Sequence, residues 1–135
     1  MQKKEPTVLL KAPQGRTLDE NNYADFANSI MGGKEGRLQF QHLTSSKLRG
    51  IYGYITNVYT RVDAPEEFQK YRSEIQYLKV RMAYESGRDR DLKEFIEASY
   101  LLRALDEIKD YDQFRLYCRY AESLVAYFKF YGGRD

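Results

Sequence analysis

The sequence predicts an all-α protein, a compact bundle of about five helices, mostly antiparallel and joined by short connections. Three observations predict it. Apolar residues recur three and four positions apart in successive segments, the spacing that gathers them on one face of a helix. No segment shows the strict apolar-polar alternation of a half-buried strand. Gly, Pro, Thr, Ser and Asp punctuate the segments where helices stop and start. A chain of 135 residues fits one domain, and 42% apolar content supplies one core. A charged content of 31% and a mean hydropathy of −0.72 describe a water-exposed surface.

Residues 1–21 hold two of the three prolines, Gly15 and no sustained apolar period. They read as a mobile basic tail, ahead of a single helical-bundle domain over 22–135. The first helix runs from Tyr23 to Met31, with Tyr23, Phe26, Ala27 and Ile30 on one face and Gly32-Gly33 as its stop. A loop follows, ending at Thr44 or Ser45, either of which can cap the second helix. That helix carries Leu48, Ile51, Tyr52, Ile55, Val58 or Tyr59, and Val62 and ends near Asp63-Ala64. Pro65 opens a third, with Glu66 and Glu67 at its positive end and Phe68, Tyr71, Ile75, Leu78 and Met82 inward, and Gly87 as its stop. A fourth spans Arg90 to Ile108, with Leu92, Phe95, Ile96, Ser99, Leu102 and Leu105 inward. The fifth, opened by Asp110 and Asp112, runs to Tyr131 and stops at Gly132-Gly133. It has two apolar stripes: Phe114, Tyr117, Cys118, Ala121, Leu124, Val125 and Phe128, then Leu116, Tyr120, Tyr127, Phe130 and Tyr131. A helix apolar on most sides is either the bundle's central helix or one shared with a neighbouring subunit.

Composition excludes several function classes. No run of apolar residues is long enough for a membrane span, and Val8-Leu9-Leu10 is too short for a signal peptide, so a cytoplasmic protein is expected. Cys118 stands alone on an inward stripe, where it reads as a small buried hydrophobe. His42 is the sole histidine, so neither a conventional zinc set nor paired Glu-x-x-His ligands can form. No phosphate-binding glycine loop occurs. The expectation is a non-enzyme without metal or cofactor.

Net charge is +2, low for a freestanding nucleic-acid binder. Its distribution is uneven. Residues 1–17 hold Lys3, Lys4, Lys11 and Arg16 against Glu5, and the remainder carries 18 basic and 19 acidic side chains. Residues 70–90 have six basic against three acidic side chains, whereas 89–112 have eight acidic against four basic. Such a split suits a polyanion on one surface and a basic partner on another, although a charge run is more often a solvated face. The candidate RNA-binding residues are Lys47, at a helix start whose free amides favour phosphate, Arg49, Lys79, Arg81, Arg88 and Arg90. If the turn before the fourth helix neighbours Lys47, then Lys47, Arg49, Arg81 and Arg88 form one stripe. Tyr52, Tyr54, Tyr77, Tyr84 and Tyr120 lie on or near these helices, either as core or as surfaces for bases.

Three stretches carry a resemblance: Leu43-Thr44-Ser45-Ser46-Lys47-Leu48-Arg49, the segment from Tyr77 to Arg88, and the tyrosine-rich ending from Val125 to Gly133. In this order and at these distances the chain resembles, over 23–133, the small subunit of the type III-A CRISPR effector, the Csm complex. The resemblance implies a helical subunit that does not cut and whose copies stack beside backbone and large subunits in antiviral defence. It further implies sequence-blind contact with guide RNA and target RNA, sequence being read by base pairing. Carried over by position, the contacts fall on Lys47, Arg49, Lys79, Arg81, Arg88 and Lys129; helical geometry alone adds Arg90 and Arg119. The competing reading is a helical adaptor or dimerisation protein that never touches RNA.

Overall fold

The computed structural model describes residues 5–11, 15–62 and 64–134. Strands β1 (Val8–Leu10) and β2 (Leu18–Asp19) precede helices α1 (Tyr23–Met31), α2 (Ser45–Tyr59), α3 (Pro65–Lys70), α4 (Arg72–Arg88), α5 (Arg90–Ser99), α6 (Leu101–Leu105) and α7 (Tyr111–Phe130), with a 3-10 turn at Lys34–Gly36. The all-α class holds, and α1 has the expected bounds. The third and fourth expected helices are each broken by one residue.

Tyr71, at φ −106° and ψ 19°, separates α3 from α4, its amide shared between the carbonyls of Glu67 and Phe68, both at 3.2 Å. Tyr100 stands in the left-handed region at φ 64° and separates α5 from α6. This second break is matched to the core. A helix end frees carbonyls from the ladder, and next to it Ser99 O and Leu101 O accept the buried hydroxyls of Tyr120 and Tyr117, each at 2.8 Å. Two phenols of α7 are thereby satisfied where an unpaired hydroxyl would cost about 1–3 kcal/mol.

The segment read as a mobile tail departs from that expectation at its strands. β1 and β2 pair antiparallel, Leu9, Leu10 and Leu18 are buried, and Gln113 Nε2 of α7 donates to Val8 O at 3.1 Å. Three apolar residues are too few to show a period, yet worth burying. Arg16 lies over the Phe26 ring at 4.5 Å. Lys3 and Lys4 lie outside the described residues, as does Asp63; α2 ends earlier, at Tyr59, with Val62 still buried beyond it.

Helix α7 occupies the centre, packing on β1, α1, α2, α3 and α6. Leu116 and Tyr120 of its second stripe are buried with the first, which answers the open question for most of its length. Only its end emerges, where Phe130 is exposed beside the half-buried Tyr127 and Tyr131.

Candidate functional site

Helices α2 and α4 run antiparallel, joined by three polar contacts: Arg61 to Glu74 at 3.1 Å, the Tyr54 hydroxyl to Arg81, and Lys47 to Asp89 at 2.9 Å. Lys47 and Tyr54 are seven apart and so share one side of α2, and Arg61 lies just beyond its end. Against this seam α4 turns its outer face to solvent. Tyr77, Val80 and Tyr84 are large side chains left more than half exposed there.

Arg81 is the centre of this face. Its guanidinium lies 4.5 Å from the Tyr54 ring centroid and 5.4 Å from that of Tyr84, and it donates to the Tyr54 hydroxyl. That bond outweighs burial and raises its proton affinity above the usual. Glu85, buried on the same helix, is approached by Arg81 at 3.8 Å and Arg88 at 3.4 Å. Arg88 also lies over Tyr84, at 5.6 Å. Two guanidinium groups thus share one withdrawn carboxylate, so the outer surface is aromatic and positive.

The other candidates are placed as follows. Lys47 meets Asp89 and, at 3.4 Å, Asp91. The turn before α5 does neighbour it, but brings carboxylates. The amides of the α2 start are also occupied: Ser45 N donates to Arg134 O at 2.6 Å, Lys47 N to the Thr44 hydroxyl at 3.2 Å and Leu48 N to Thr44 O at 3.1 Å. Arg49 is exposed, but two residues beyond Lys47 it is turned roughly 200° around α2, away from the α4 seam. Lys47, Arg49, Arg81 and Arg88 therefore do not form one stripe: Arg81 and Arg88 stand together, Lys47 is clamped, and Arg49 flanks another side. Lys79 pairs with Asp106 at 2.7 Å. Arg90 is exposed in the first turn of α5 and Lys129 near the end of α7. Arg119 lines a polar hollow of about 300 Å³ with Glu20, Asp112 and Arg115.

Of the tyrosines considered, Tyr120 is core and Tyr52 and Tyr54 are half-buried, which leaves Tyr77 and Tyr84. Their exposure was legible as positions off the Ile75-Leu78-Met82 seam; Val80 was missed, having no chemistry to mark it. Burial pushes the Cys118 thiol well up from its ordinary range. Among the described residues no group of three His, Cys, Asp or Glu side chains could hold a metal ion. No helix of the described residues is long and apolar enough to cross a membrane.

The profile of the family described as Csm2 Type III-A matches residues 22–134. A protein of Enterococcus italicus named CRISPR system Cms protein Csm2 is 40% identical, over 91% of this chain and 96% of its own. Namesakes from Streptococcus thermophilus and Mycobacterium tuberculosis are 37% identical over 87% of this chain and 98% of theirs, and 31% identical over 86% and 96%.

Proposed function

Because the chain belongs to the Csm2 type III-A family, as a small subunit of a type III-A CRISPR Csm complex, we propose that it is a non-catalytic subunit that stacks in several copies and holds RNA by its backbone. Its partners on this reading are guide RNA, target RNA, the backbone and large subunits, and other copies of itself, in the cytoplasm. The observation that carries the RNA contact is the outer face of α4, where Arg81 and Arg88 stand among exposed tyrosines and the nearest acid, Glu85, is drawn inward between them. Arg49, Arg90, Arg119 and Lys129 add exposed cations elsewhere on the surface.

A net charge of +2 suits this arrangement. A few phosphate contacts per copy, repeated along one RNA, give through multivalency an affinity that a single copy lacks. Sequence is then left to base pairing. The test is recovery of the tagged chain from its host: guide RNA and larger subunits should co-purify with it. A protein recovered with partner proteins and no RNA at any salt concentration is the adaptor instead.

A further inference from the structure

Phosphate binding needs only the cations of α4, yet the same face holds Tyr77 at 54%, Val80 at 58% and Tyr84 at 51% exposure. Single exposed apolar residues are ordinary. These three form a stripe, with Tyr77 and Tyr84 two turns and about 10 Å apart along the helix. The charges around the stripe define its occupant. Arg81 and Arg88 lie 5.4 and 5.6 Å from the Tyr84 ring, while the carboxylates of α4 are withdrawn, Glu74 to Arg61 and Glu85 beneath the arginines. A surface of ring faces flanked by Arg81 and Arg88 matches a ligand that is planar, unsaturated and anionic, as an unpaired nucleotide is.

We propose that Tyr84, with Tyr77, is a stacking site for unpaired RNA bases, Arg88 holding the adjoining phosphate. Arg81 is its rigid floor, fixed between the Tyr54 hydroxyl and Glu85. The inference deepens the RNA-binding reading and rests on it. It adds that the face distinguishes a strand with accessible bases from a bare polyanion or a closed duplex, without preferring a base.

The experiment compares a short oligouridylate with its abasic counterpart, binding to the full-length chain at low salt followed by fluorescence anisotropy. Wild type should bind the oligouridylate more tightly. Tyr84→Ala should lose about tenfold for it and little for the abasic strand, and Tyr84→Phe, which keeps the ring, should recover the difference. Equal wild-type affinity for both strands overturns the stacking site and leaves backbone binding standing. Absence of binding to either strand overturns the stacking site, while backbone binding, which draws its affinity from several copies along one RNA, is tested on the assembled complex. If Tyr84→Ala leaves RNA binding unchanged but alters sedimentation of the chain, the stripe is a protein interface and the proposal fails.

Discussion

The ammonium of Lys47 lies 2.9 Å from Asp89 while the Asp89 carboxylate also accepts the amides of Asp91 and Leu92 as the cap of α5. The hydrogen bond to Lys47, then those from the backbone, hold the Asp89 carboxyl below its ordinary 3.8 against the opposing effect of burial. A depressed carboxylate stabilises the fold above its unfolded value, and the contribution fades as pH falls through the folded one. Lys47 is raised from 10.5, first by the same hydrogen bond, so its contribution is present below that value and fades as pH climbs through the folded one. Asp89→Asn keeps a capping side chain and removes the charge. Its melting temperature should fall below wild type by a few degrees at neutral pH, with the gap closing below about pH 3.8; a gap independent of pH would show that the ion pair is idle. Cys118 offers a second test: buried, with its thiol pushed up, it should resist a thiol reagent in the native chain and react only on unfolding. Much of this was hidden in the sequence. The cations and the lone cysteine were plain, but Lys47 finds Asp89, and Arg81 finds Tyr54, only once α2 and α4 lie side by side, since no local spacing encodes such a pair.

Helix starts were legible because capping chemistry is local, whereas the expected stop at Gly87 lies inside α4 and the expected fourth helix ends at Leu105 instead of Ile108. Thr44, Asp89 and Asp110 each accept amides at the start of a helix. The breaks at Tyr71 and Tyr100 were not, because tyrosine is no breaker and the apolar period continues through both. Beside the break between α5 and α6, the buried Tyr120 and Tyr117 hydroxyls of α7 donate to Ser99 O and Leu101 O. The Gly132-Gly133 stop has a packing reason besides. Gly132 has φ 82°, and a Cβ on Gly133 would collide with the ring of the fully buried Phe128. Gly133→Ala should therefore destabilise by about 1–3 kcal/mol in denaturant titration. Gly50 and Gly53 are different: both lie inside α2, and a Cβ at either meets nothing within 4 Å. Alanine there should stabilise the isolated chain by about 0.5–1 kcal/mol each. A loss of stability at either position would mean that α2 needs its glycines for folding.

Along the chain, basic α4 and the acidic stretch after it are segregated despite a net charge of only +2, and in the fold Lys79 and Asp106 join them at 2.7 Å. The sequence showed that segregation, but the short β1 and β2 pairing escaped it, because Leu9, Leu10 and Leu18 gain meaning only against α7. On the proposed function, exposed cations hold an RNA backbone within the assembled complex. Arg81 is a poor probe of this contact, since its loss leaves buried Glu85 to Arg88 alone. Arg49 is exposed, and removing such a charge usually shifts stability by within about 0.5 kcal/mol, whereas Arg88→Ala leaves Glu85 to Arg81, so a melting curve accompanies the double variant. The most direct measurement is target-RNA affinity of the reconstituted type III-A complex at several salt concentrations, with wild-type chain or the Arg49→Ala, Arg88→Ala double variant. The double variant should bind more weakly for every guide sequence, with a salt slope flattened by roughly one unit per lost contact. A complex that assembles normally and keeps both affinity and slope would contradict the proposed function.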